Sequence, residues 1–160
     1  MEESIEKLML QLWGRKMITN FKMRGIGIIV KDNKILLMKR VRNGKEYYIF
    51  PGGGVEENET PEEATIREIR EELTLEAKID KFLFKMFNPG QKGSKFYDRD
   101  DYFFLVTEFD GEVQLGGEEL ERMDESDQFY PEWHDMEEAA SMKDLFPEKA
   151  RLKLFEMLKD

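Results

Sequence analysis

Residues 60–63, Thr-Pro-Glu-Glu, specify the start of a helix more tightly than any other point in this chain. Thr60 is suited to accept the orphan amides at a helix N-terminus, and Pro61 brings a helical φ to the first position. Glu63 stands three residues after the cap, as a capping box requires. Glu62 and Glu63 also meet the positive end of the helix dipole. The spacing therefore predicts a helix over 61–73, entered from the run Pro51-Gly52-Gly53-Gly54. On a wheel of about 100° per residue, Ile66, Ile69 and Leu73 fall within about 60° of one another, and Glu68, Glu71 and Glu72 lie about 140–240° from Ile66. Three carboxylates thus share one face. A solvated acidic face is the ordinary explanation. Against it, like charges four apart cost about 0.2–0.5 kcal/mol per pair. Hard divalent cations take such oxygen ligands together with substrate phosphates and water.

The rest of the chain reads as a mixture of strands and helices. Residues 23–31 and 34–42 form two apolar strands around Asp32-Asn33, and 47–50 a short aromatic strand stopped by the glycines. Residues 75–87 and 101–109 form strands around the polar turn NPGQKGSK, followed by EVQL at 112–115 as another. The acidic stretch 116–128 reads as a loop, 129–135 as a last strand, and 136–141 and 147–159 as helices. This order predicts an α+β fold of the α/β/α sandwich kind, a mixed sheet flanked by helices. Residues 4–15 place Ile5, Leu8, Met9, Leu12 and Trp13 on one stripe. They form an amphipathic extension (1–20) preceding the main domain (21–160), and a homodimer through that extension is one expectation.

Composition removes several chemistries. The 160 residues contain no cysteine and one histidine, His134, so cysteine-ligated zinc, iron–sulfur clusters and thiol nucleophiles are excluded. With 25 Lys and Arg against 35 Asp and Glu, the formal charge is −10, which argues against an extended nucleic-acid partner. No apolar run approaches the roughly 20 residues of a membrane span. The start Met-Glu-Glu lacks the basic end of a secretory signal, so the expected location is cytoplasmic. Neither GxxxxGK[ST] nor GxGxxG occurs.

With the helix and its glycines in view, the segment resembles the signature of the Nudix hydrolases, G-x5-E-x7-R-E-U-x-E-E-x-G-U, where U is a bulky aliphatic residue. It reads Gly53, Glu59, then Arg67-Glu68-Ile69-Arg70-Glu71-Glu72-Leu73-Thr74-Leu75, and departs only at Thr74, where the family carries glycine. A β-branched residue in the left-handed turn that glycine usually makes costs about 1–2 kcal/mol, so a different exit turn is expected. The resemblance covers roughly residues 22–159. It implies hydrolysis of a pyrophosphate bond in a nucleoside diphosphate linked to some group X, with Mg2+ or Mn2+. Nucleoside triphosphates, ADP-ribose, nucleotide sugars and dinucleotides are the open choices; a non-catalytic nucleotide sensor is the alternative.

By family position, Glu68, Glu71 and Glu72 hold metal with the carbonyl of Gly52. Glu68 and Glu71 are the catalytic candidates, with Glu68 as the base. Glu59 and Arg67 brace the loop against the helix. Glu119 is chosen from Glu118, Glu119 and Glu121 as a further ligand. Arg40, at the end of the strand before the box, with Lys39 and Gly53, is the expected phosphate-binding group. Tyr47, Phe50, Phe96 and Tyr97 are candidates to stack on a base. Pro89 falls one place out of register with a proline that marks members acting on ADP-ribose.

Overall fold

The computed structural model describes residues 21–90 and 98–159. The expected N-terminal helix, and Phe96 and Tyr97, lie outside the described residues. Strand β1 (Phe21–Lys31) turns through Asp32 and Asn33, both at positive φ, into β2 (Lys34–Arg42). The two strands pair only beside that turn, at Val30↔Ile35 and Lys31↔Lys34. Beyond it they part. β1 runs parallel to β6 (Asp98–Asp110) from Phe21↔Asp98 to Ile29↔Val106, and β6 pairs antiparallel with β5 (Glu76–Asn88). β2 takes β3 (Lys45–Ile49) along one edge and β7 (Asp127–Asp135) along the other. The short β8 (Leu145–Phe146) adds to β3 in parallel. This mixed, splitting sheet opens a cleft between β1 and β3.

The period-two pattern of β1 feeds two cores. Ile26 and Ile28 join Leu37, Phe50, Phe103 and Leu154 on one face. Ile29 joins Leu36, Met38, Ile69 and Leu73 on the other. The first core is covered by α3 (Met136–Ala140) and α4 (Glu148–Met157), which Arg151 ties together by donating Nη1–H to the Ala140 carbonyl at 2.9 Å. The second is covered by α1 (Pro61–Leu73). The architecture is thus the expected α/β/α sandwich.

Helix α1 starts where its caps place it. Thr60 Oγ1 accepts from the Glu63 amide at 3.1 Å, and Glu63 Oε1 accepts from the Thr60 amide at 3.0 Å. It lies directly on β1 because Gly25 and Gly27 have no side chains. A Cβ on Gly27 would stand 2.7 Å from Ile69 Cδ1, and one on Gly25 would coincide with Thr65 and the Pro61 carbonyl. The buried face is Thr65, Ile69, Glu72 and Leu73, with Ala64 beside it, while Ile66 is half-buried. The wheel centred on Ile66 is therefore rotated: the core stripe centres on Ile69, and Glu72 belongs to the buried flank. Truncating Ile69 to alanine would cost about 2–5 kcal/mol.

Three local expectations are corrected. Gly52–Gly54 do not merely halt β3; they form β4, pairing antiparallel with Arg24–Ile26 of β1. Glu112–Leu115 do not form a strand. Their backbone serves the end of α1 instead, with the Gln114 and Gly116 amides donating to the Leu73 and Glu72 carbonyls at 3.0 and 2.8 Å. Within the expected loop 116–128, Gly117–Arg122 form a short helix, α2.

Thr74 keeps the left-handed turn despite its branched side chain, at φ 58° and ψ 31°. Its amide donates to the Arg70 carbonyl at 3.0 Å, closing the helix as a glycine would. Its hydroxyl donates to the Leu73 carbonyl at 2.6 Å and also reaches that of Glu112 at 3.1 Å.

Candidate active site

Arg67 is the hub of the helix's polar face. Its Nε and Nη2 donate to the two oxygens of Glu59 at 2.8 and 3.0 Å, and Nη2 also donates to the Gly54 carbonyl at 2.8 Å. Nη1 donates to Glu68 Oε1 at 2.9 Å and Glu71 Oε2 at 3.2 Å. One guanidinium thereby joins the loop, β4 and two carboxylates of α1, a task that its planar fork of five donors suits and an ammonium does not. The Glu59 hydrogen bond, with Glu68 assisting, raises the Arg67 pKa well above the ordinary guanidinium value. The same bond holds the Glu59 carboxyl below the usual carboxylate range. Glu59 also accepts from the Glu56 amide at 3.0 Å, which closes the loop into α1.

The three box glutamates differ in setting. The Glu68 side chain is 16% exposed and lies against Gly53, where a Cβ would collide with its carboxylate. Glu71 is 53% exposed and Glu72 is buried. Among the described residues, no three acidic or histidine side chains converge as a closed metal site. The donor set nevertheless fits a hard divalent cation in kind: carboxylates one turn apart, and a glycine strand whose missing side chain lets a carboxylate approach the backbone. Gly116 and Gly117 bring α2 onto the last turn of α1, where a Cβ on either would stand within about 3.0 Å of the Glu71 carbonyl. Glu119 is carried on that helix, and its side chain lies outside the described residues.

Lys39 and Arg40 are not brought to this cluster. Arg40 forms a two-pronged pair with Asp127, Nε to Oδ1 at 3.1 Å and Nη2 to Oδ2 at 3.0 Å, and its guanidinium lies 4.7 Å over the Phe129 ring. Lys39 stands 3.5 Å from Glu46 and 4.0 Å from Glu132. His134 is a strand residue beside Glu132 and Glu138, with its ring edge-on to Tyr48. Tyr47 packs against Phe146.

The cleft between β1 and β3 holds a cavity of about 460 Å3. Ile26, Ile49, Phe50, Phe103, Phe146 and Pro147 give it apolar walls; Arg24, Arg99, Asp101 and Glu148 are its charged members. Of the expected stacking residues, Phe50 is here. Arg24, Arg99 and Asp101 escaped the sequence reading. Their signal was present, since Arg24 interrupts an apolar strand and Asp101 stands at the head of the apolar run of another, but only the register Arg24↔Asp101 unites them.

A sequence model of the NUDIX domain matches residues 21–155. The chain belongs to the Nudix family. Its relatives include the ADP-ribose pyrophosphatase of Methanocaldococcus jannaschii, 40% identical over 102 residues, which are 59% of this chain and 56% of that protein. The 8-oxo-dGTP diphosphatase of Buchnera aphidicola subsp. Schizaphis graminum is 39% identical over 93 residues, 55% of this chain and 65% of that protein. The match thus spans somewhat more than half the length of these curated relatives. The solution structure of the E. coli ORF135 protein superposes with a TM-score of 0.66 at 25% identity, covering 88% of this chain and 89% of that one. Nudix hydrolases generally use divalent metals, in keeping with the oxygen donors on α1.

Proposed function

We propose that this Nudix chain is a phosphohydrolase that cleaves a pyrophosphate bond in a nucleoside diphosphate linked to a group X. The observation that carries the reading is Arg67 holding Glu68 and Glu71 together beside the glycine strand, which pairs with β1 at Arg24, a lining residue of a cavity sized and walled for a nucleoside. Glu68, Glu71 and Glu72, with the Gly52 carbonyl, are the residues we assign to Mg2+ or Mn2+. Bound there, such an ion supplies Lewis-acid neutralisation of charge at the pyrophosphate. Glu68, wedged between Arg67 and Gly53, is assigned to take the proton of the attacking water. Arg67 and Glu59 fix its position, so that little reorganisation accompanies the reaction. The aromatic and aliphatic walls offer the nucleoside end an apolar surface. The names of the relatives suggest ADP-ribose and an oxidised nucleoside triphosphate as first substrates to try.

The test is a panel of ADP-ribose, 8-oxo-dGTP, nucleotide sugars and dinucleoside polyphosphates with Mg2+ or Mn2+, the nucleotide products being separated, with Glu71→Gln alongside. Mononucleotide release by the wild type and not by the variant is expected, and so is its loss with a chelator. Tight binding without turnover across the panel would replace this reading with a nucleotide sensor.

A further inference from the structure

We propose that Arg24 grips the substrate's pyrophosphate, with Arg99 beside it and the buried Asp101 positioning the guanidinium wall. This rests on the hydrolase reading above. A substrate of that class must reach from the apolar cavity to the glutamates of α1, and its linking group carries the charge. Some cation has to meet it. Lys39 and Arg40 are already held by Glu46, Glu132 and Asp127.

Arg24 stands where the two halves of the site join. On one side its strand neighbour is Gly54, whose carbonyl Arg67 holds; on the other it is Asp101. Its side chain lines the cavity, and the charges of Glu72 and Glu68 reach it from α1. Burial pushes its pKa down and Asp101 pushes it back, so the guanidinium is partly stripped of water while remaining charged. A cation in that setting binds a phosphate more strongly than one in open solvent.

Asp101 is 2% exposed and spends one oxygen on Arg99 Nε at 3.0 Å and the other on Asn88 Nδ2 at 2.9 Å. It acts on the ligand only through the arginines. The two guanidiniums stand beside one buried carboxylate, with Glu148 as the fourth charged residue of the cavity. A guanidinium could instead read the O6 and N7 edge of a purine. The position between cavity and glutamates favours the phosphate.

The experiment uses two substrates with the same X, one carrying adenine and one guanine, and compares wild type with Arg24→Gln, Arg24→Lys and Asp101→Asn. The second arm measures Kd for an α,β-methylene nucleoside diphosphate without divalent ion. For Arg24→Gln the expected result is an increase in KM and in that Kd of about 10- to 100-fold, the value of a charge-assisted bond, equal for both bases. Arg24→Lys should recover part of the loss, and it carries the test if the glutamine variant does not fold. Asp101→Asn should raise KM with kcat little changed; a merely structural role would lower Tm and leave KM alone. A loss confined to guanine would make Arg24 a base reader and overturn the proposal, as would unchanged KM and Kd. If the wild type turns over neither substrate, the hydrolase reading fails, and the Kd arm alone then decides whether Arg24 holds the diphosphate.

Discussion

Gly53 has no side chain, and the Glu68 carboxylate occupies the place where one would be. The positive-φ residues do not include Gly53, so its requirement is space rather than backbone freedom. Gly53→Ala must displace Glu68 or open β4 from α1. Displacing a reacting group by about 1 Å costs about 10²-fold in rate. The expected outcome is a fall in kcat of that order with the helix content intact, measured by steady-state kinetics alongside circular dichroism. Unchanged kcat would mean that Glu68 is not the base.

The pair between Glu59 and Arg67 predicts an acid limit to stability. The Arg67 hydrogen bond lowers the Glu59 pKa below its unfolded value of 4.5. The unfolded chain therefore takes up a proton first as pH falls. The stabilisation is fully present above pH 4.5 and is lost as pH drops through the folded value. Glu59→Gln should be less stable than wild type at pH 7, and the difference should shrink below pH 4.5. Urea unfolding at a series of pH values would show it, and two parallel curves would rule the mechanism out.

What the sequence made legible was local. The Thr60 cap, the Pro61 start and the Asp32-Asn33 turn depend on neighbours within four residues, and each stands where its chemistry placed it. What stayed hidden depended on distant partners. Three glycines read as the stop of a strand, yet Gly52–Gly54 pair with Arg24–Ile26. Glu112–Leu115 alternate like a strand, but the carbonyls at the end of α1 claim the amides of Gln114 and of Gly116 just beyond. The box glutamates could be grouped from the sequence because one helix carries all three. Arg24 and Asp101 were missed because 77 positions of chain separate them and only the parallel register of β1 and β6 makes them neighbours.

Thr74 offers a stability test at the one departure from the family signature. Its left-handed conformation costs about 1–2 kcal/mol relative to glycine, and its hydroxyl returns about 1 kcal/mol through the Leu73 and Glu112 carbonyls. Thr74→Val keeps the strain and loses the bond, so a destabilisation of about 1–2 kcal/mol is expected. Thr74→Gly loses both and should stay within about 1 kcal/mol of wild type. Both should retain kcat, because Glu68 and Glu71 precede the turn. Chemical denaturation of the three proteins gives the comparison. A valine variant as stable as wild type would show that the hydroxyl contributes nothing.

Arg40 separates a family position from a local structure. The signature's neighbourhood assigns it to phosphate, while the fold engages it with Asp127 at 3.0 and 3.1 Å and over Phe129. The pair raises the Arg40 pKa and lowers that of Asp127, chiefly through the hydrogen bonds between them. It joins the end of β2 to the start of β7 across a register in which Arg42 faces Asp127. Arg40→Ala removes a bidentate bond and a cation–π contact, so a stability loss of about 1–2 kcal/mol is expected. With the charge already committed, KM should change less than about twofold, within the roughly 0.4 kcal/mol that such a ratio represents. Asp127→Asn frees the guanidinium while leaving it charged, and should reproduce the stability loss with KM again unchanged. Denaturation and steady-state kinetics on both variants decide the matter. A large increase in KM for Arg40→Ala at undiminished stability would return Arg40 to the phosphate and require it to leave Asp127 when substrate binds.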